Sequence, residues 1–126
     1  MNRLTSDVTM LALQKALDGA AARQSAAAEN LANVETPSYR PRRVEFQEQL
    51  RAALSTLDEA TREQLGAVDP VSYRYAGPPL RRDGNAVDLE TEMTELAESS
   101  LQYQAASRLL TRKLQMLRSV ATEGGR

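Results

Sequence analysis

Met10, Leu13, Leu17, Ala20, Gln24, Ala27, Leu31 and Val34 follow one another in alternating steps of three and four residues. On an α-helix this spacing places all of them on one face, a heptad seam interrupted only by Gln24. The pattern predicts a helix from about Asp7 to Asn33, roughly 40 Å long, with Thr5, Ser6 or Asp7 as its cap. A second seam runs through Leu89, Met93, Leu96, Ser100, Tyr103, Ser107, Leu110, Leu114, Leu117 and Ala121. It predicts a helix of roughly 50 Å, capped by Asp88. Glu90 and Glu92 stand in its first turn and Arg112, Lys113 and Arg118 towards its far end, as the helix dipole favours.

Between the seams the periodicity weakens. Phe46, Leu50, Leu54, Leu57 and Leu65 predict a shorter helix over about 45–64, and the stretch from Gly66 to Val87 reads as a glycine- and proline-rich loop with a short strand or hairpin near Ser72–Tyr75. The first helix has to stop before this middle segment. Asn30 and Asn33 tolerate the left-handed backbone that ends helices, and Pro37 drives Thr36 towards an extended conformation. The first helix would then project from the middle segment as a separate rod. The fold class is all-α: two long terminal helices pairing as an extended coiled-coil-like bundle, around a middle helix and an irregular loop. Its divisions are 1–35, 36–87 and 88–126.

Each terminal helix carries one apolar stripe, and each must bury it on something. Candidate packing residues are Leu13, Leu17, Ala20, Gln24, Ala27 and Leu31 on the first helix. Leu96, Tyr103, Leu110, Leu114 and Leu117 face them from the last. The stripes can cover each other in an antiparallel or staggered pair, but a pair this long has little compact core. Exposed stripes fray, so a lone chain is expected to exchange amide hydrogens fast over 1–30 and 100–126. Ala20–Ala22 and Ala26–Ala28 surround Arg23-Gln24-Ser25 with small side chains. Alanine is the best helix former, and it also lets several helices approach closely. The acidic start and basic end of the last helix are explained by dipole compensation, with head-to-tail complementarity between stacked copies as the second reading. Arg40-Pro41-Arg42-Arg43 reads as a solvated basic loop.

Composition removes most chemistry. The chain has 126 residues and a net charge of -1, from 16 basic and 17 acidic side chains, unlike a strongly basic nucleic-acid binder. It contains no histidine and no cysteine, which removes the usual zinc ligands, thiol nucleophiles and commonest general base. No catalytic, cofactor-binding or metal-ligating residue emerges, and no small-molecule substrate. The amino terminus lacks a secretory signal pattern, and no apolar run has the length of a membrane span. A self-contained helical adaptor or chaperone and a small nucleic-acid-binding regulator are the alternatives to an assembling subunit.

The stretch "RQSAAAENLANVETPSYRPRRVEF" resembles the amino-terminal signature of the bacterial flagellar rod and hook proteins: an alanine-rich helix, Asn-Leu-Ala-Asn, then Thr-Pro-Gly-Tyr. Asn30, Asn33, Thr36, Pro37 and Tyr39 match it; Ser38 stands where the family has glycine. The stretch from Asp83 to Val120, opening on Asp83, Gly84, Asn85 and Asp88, is similar to the proximal-rod branch of that family. The resemblance implies a structural protein, not an enzyme, exported unfolded by the flagellar type III apparatus without a cleaved signal peptide. It implies a place in the basal body, in the rod on the periplasmic side of the inner membrane. Copies of itself, other rod proteins and the membrane-ring and rod-base adaptor proteins are its implied partners.

Overall fold

The computed structural model describes residues 2–55 and 58–124, with residues 2–6 described by backbone alone. Two helices dominate it: α1, Asn2–Ala32, and α4, Leu89–Gly124. At ~1.5 Å per residue they are roughly 46 and 54 Å long. The side-chain contacts between them show that they run antiparallel. Asn30 near the end of α1 meets Glu92 near the start of α4, and Arg23, further back, meets Glu95 and Glu98. Asp88 caps α4 as its position predicts: the Glu90 amide donates to its Oδ1 at 3.1 Å. α1 begins earlier than expected, so Thr5, Ser6 and Asp7 lie within it. Nothing from Arg3 to Ser6 breaks a helix, and a capping side chain acts only where the chain leaves one. Asp7 instead pairs with Arg62 at 3.6 Å.

The seam between α1 and α4 is built from small and polar residues. Ala20, Ala27 and Asn30 are buried on α1, and Glu92, Ser99 and Ala106 on α4. Ser99 satisfies its hydroxyl within the helix by donating to the Glu95 carbonyl at 2.6 Å. The large apolar stripe of α4 lies one residue out of step with this seam. Leu96, Ser100, Ser107 and Leu110 are half-buried, whereas Leu89, Met93, Tyr103, Leu114 and Leu117 are exposed. Tyr103, Leu114 and Leu117 therefore do not serve as buried contacts inside the chain. A strict heptad stripe drifts about 20° per heptad around a straight helix, so it cannot face one partner throughout.

The middle segment does not leave α1 as a projecting rod; it folds back along the opposite flank. Val8, Phe46, Ala53, Leu65 and Val68 form a core cluster, joined by Leu11, Ala12, Val44, Leu50 and Leu54. Gly19 is the close approach that seats it, because the Phe46 ring occupies the space a Cβ would take. In place of one helix over 45–64 there are two, α2 (Gln47–Leu54) and α3 (Thr61–Gly66), while Glu45 belongs to a strand. Leu57 lies outside the described residues. Local side-chain bonds compete with the helix at the break. Ser55 Oγ donates to the Ala52 carbonyl, and the Ala60 amide donates to Asp58 Oδ1.

The strand expected near Ser72–Tyr75 is β2, Val71–Arg74, but it makes no local hairpin. It pairs antiparallel with β1, Arg42–Glu45, in the register Arg42–Arg74 to Glu45–Val71. The basic run is accordingly no solvated loop: Pro41 is buried, and Arg42 and Arg43 lie on β1 in ion pairs. A strand needs a partner, and here the two strands are separated in the chain by α2 and α3.

Candidate functional site

α1 ends at Ala32, and the chain turns immediately into a polar joint. Neither Asn30 nor Asn33 adopts positive φ; among the described residues other than glycine, Ser38 alone does, at φ 61°. Asn33 ends the helix through its side chain, whose Nδ2 donates to the Glu29 carbonyl at 2.9 Å and satisfies an acceptor the helix leaves open. Thr36 Oγ1 then donates to Asn33 Oδ1 at 3.0 Å.

Asn30 holds strand to helix. Its Oδ1 accepts from the Arg42 amide at 2.8 Å, and its Nδ2 donates to the Arg42 carbonyl at 2.9 Å. The side-chain amide thus behaves as one more strand beside β1. The same Nδ2 donates to Glu92 Oε2 at 3.0 Å, and Tyr39 OH donates to Asn30 Oδ1 at 3.0 Å. Arg43 donates to the other oxygen of Glu92 at 2.5 Å. Glu92 is fully buried, with both carboxylate oxygens engaged by Asn30 of α1 and Arg43 of β1.

Asn85 performs the second closure. Its Nδ2 donates to the carbonyls of Asn33, Val34 and Thr36 at 3.0, 3.1 and 2.7 Å. Its Oδ1 accepts from the Val87 amide at 2.7 Å. The Ser38 amide donates to the Asp83 carbonyl at 3.0 Å, and Gly84, itself at φ 83°, lies against Ser38. The two stretches that carry the signature are thus one physical object.

Outside this joint, charge is arranged in matched pairs. Arg42 donates to Glu29 at 2.7 Å and Arg74 to the other Glu29 oxygen at 3.2 Å. The Arg42 hydrogen bond above all holds the Glu29 carboxyl below its ordinary value of 4.5. Arg74 is raised in turn, chiefly by its hydrogen bond to Tyr39, whose ring lies 5.5 Å below its guanidinium. Arg23 binds Glu95 at 2.7 Å and Gln102 at 2.6 Å, tying α1 to α4 further along.

Of the expected joint residues, Asn30, Asn33, Thr36, Tyr39, Asp83, Gly84 and Asn85 come together; Pro37 is exposed at the turn, and Asp88 caps α4 outside the cluster. Of the expected packing residues on α1, Ala20 and Ala27 are buried and Leu13, Leu17, Gln24 and Leu31 half-buried. Sequence reasoning missed Glu29, Arg42, Arg43, Arg74 and Glu92. The available signal was charge: a basic run and an isolated acid each lacked a local partner.

No reaction chemistry follows from this arrangement. Among the described residues every buried side-chain nitrogen and oxygen has a hydrogen-bond partner, and no cluster of acidic residues suits a metal ion. A groove of about 460 Å³ beside β1 is lined by Arg23, Arg42, Arg43, Glu92 and Glu95, whose charges are already engaged with one another and with Glu29. The site is a mechanical joint that fixes two helices and a ribbon in one geometry.

No family model matches the chain. It is 33% identical to the flagellar basal body rod protein FlgB of Bacillus subtilis (strain 168), over 92% of this chain and 95% of that protein. The chain belongs to the FlgB family of flagellar basal body rod proteins. The FlgB protein of Salmonella typhimurium is 30% identical over 94% of this chain and 96% of its own length. That of Borrelia hermsii is 30% identical over 69% of this chain and 76% of its own. The matches to the Bacillus and Salmonella proteins extend over nearly the whole chain. No helix among the described residues is long and apolar enough to cross a membrane.

Proposed function

We propose that this chain is a structural subunit of the proximal rod of the flagellar basal body, assembling with copies of itself and other rod proteins into the tube that transmits rotation. The carrying observation is the orientation of α4. Its buried seam consists of Glu92, Ser99 and Ala106, while Met93, Leu101, Leu109, Met116 and Val120 face solvent. Burying that face on neighbours recovers ~25 cal/mol for each Å² of apolar surface removed from water. Contacts between two different faces build open helical assemblies where the rotation between copies does not close a ring.

The membrane-ring and rod-base adaptor proteins are the neighbours at its base, and the type III apparatus delivers the chain to the periplasmic side of the inner membrane. The role is structural; nucleic acid and small-molecule substrates play no part in it. A strain lacking the gene should form no external flagella, and basal bodies imaged from it should lack the rod. Normal filaments in that strain would reject the assignment.

A further inference from the structure

We propose that Asp83-Gly84 is a site of spontaneous backbone modification that the closed joint holds in check. Where the joint opens, the linkage converts to isoaspartate, and the joint then no longer closes in its native register. Nothing in this depends on rod assembly. Aspartate is followed by glycine at two places in the chain, Asp18-Gly19 and Asp83-Gly84. In such a pair no side chain on the glycine shields its amide nitrogen from the carboxyl group that precedes it.

The reaction needs water alone. The Gly84 nitrogen attacks Cγ of Asp83 and forms an N–Cγ bond, while the carboxyl group loses its hydroxyl, which leaves as water with the amide proton. Water then opens the cyclic imide. Opening at Cγ restores aspartate; opening at the main-chain carbonyl leaves the chain running through Cγ, with no net change in composition. Burial does not prevent this, since Asp83 is exposed and Gly84 half-buried. Hydrogen bonds do. The peptide unit between the two residues is clamped at both ends: its carbonyl accepts from the Ser38 amide at 3.0 Å, and its N–H donates to the Arg81 carbonyl at 3.1 Å. Asp83 Oδ1 is held as well, accepting from the Asn85 amide at 3.0 Å. The nitrogen cannot surrender its proton and swing onto Cγ until these bonds break, and they are bonds of the joint. Asp18-Gly19 is protected differently, inside α1 with Gly19 under the Phe46 ring. After conversion at Asp83 the main chain is one carbon longer, and the carbonyl that served Ser38 has become a carboxylate. Asn85 is then out of register with the carbonyls of Asn33, Val34 and Thr36.

The test ages the full chain at neutral pH in native buffer and in guanidinium chloride, and locates isoaspartate by fragmentation mass spectrometry that separates the two linkages. Both pairs should convert in denaturant, and at least about tenfold more slowly in native buffer, because conversion follows the open population. Asn85→Ala strips the clasp and should speed conversion at Asp83 in native buffer about five- to a hundredfold, up to the denatured rate, with a smaller change at Asp18. Ser38→Gly keeps the backbone amide at that position and relieves its left-handed strain, so it should slow conversion at Asp83 about two- to fivefold. Chain converted in denaturant, separated and returned to native buffer should exchange its amides over 33–39 faster than unconverted chain.

Equal rates at Asp83 in native buffer and in denaturant overturn the proposal. So does a folded Asn85→Ala chain that converts no faster than the natural one, or a converted chain whose amides over 33–39 regain full protection. If Asn85→Ala does not fold, Asp18 and Asp83 convert together at their denatured rates and Ser38→Gly decides: an unchanged or raised rate at Asp83 overturns the proposal, and a lowered one supports it.

Discussion

Asn30 and Glu92, 62 residues apart and both fully buried, meet through a hydrogen bond of 3.0 Å from Nδ2 to Oε2. That bond joins the end of α1 to the start of α4, and Arg43 completes it from β1. Glu92→Ala strips the buried pair and leaves Asn30 and Arg43 without their acceptor. The expected loss is about 3 kcal/mol, the low end for a broken buried pair, because Arg43 still reaches solvent. Glu92→Gln keeps the shape and should cost less. Urea unfolding midpoints of the two variants check the order.

Asn85 closes three carbonyls at once, so Asn85→Ala leaves acceptors at the end of α1 unsatisfied. A loss of about 2–3 kcal/mol is expected, on the scale of buried polar groups that lose their partners. Asn85→Asp should be worse, because it turns carboxylate oxygens towards carbonyl oxygens. Thermal melts rank the variants, and amide exchange over 33–39 should rise in both.

Ser38 holds a left-handed backbone that costs an L-residue roughly 1–2 kcal/mol and glycine almost nothing. Ser38→Gly should therefore stabilise the chain by about 0.5–1 kcal/mol, after the extra unfolded-state entropy of glycine is subtracted. Gly84→Ala should destabilise it, since Gly84 sits at φ 83° and an added Cβ would lie 3.0 Å from Ser38 Oγ. Ser38→Gly removes that hydroxyl, so the double variant should lose less than the two single effects added together. A four-corner unfolding cycle measures the coupling.

Glu29 is ionised more readily in the folded chain than in the unfolded one, because Arg42 and then Arg74 bind its carboxylate. A depressed folded pKa contributes stability that is fully present above 4.5 and disappears as pH falls through the lower folded value. The melting temperature of the natural chain should exceed that of Glu29→Gln at neutral pH, and the gap should narrow below pH 4.5. A gap that widens on acidification would contradict the pairing.

Amide exchange in a verified monomer should be uneven along the terminal helices. Residues 19–31 are enclosed between α4 and the middle segment, so they should exchange slowly, contrary to the expectation from an unpaired stripe. Residues 114–124 are exposed and should exchange fast. Mass-spectrometric exchange resolves the two segments.

The local pattern by itself determined the two long helices, the Asp88 cap, the stop near Asn33 and the irregular middle, because heptad spacing, capping chemistry and proline act over a few residues. The signature residues from Asn30 to Tyr39 and from Asp83 to Asn85 were visible as motifs, though not as one joint. Only the tertiary structure decided that Asn85 closes the end of α1, that Arg43 and Glu92 neutralise each other, and that β1 finds β2 across the chain. It also decided which side of α4 is buried. Small residues let the helix axes approach and matched charges set their register, so Ser99 and Ala106 went inside and the methionines stayed out. Hydrophobicity ranks side chains one at a time, whereas burial depends on what lies opposite, and no residue carries that information alone.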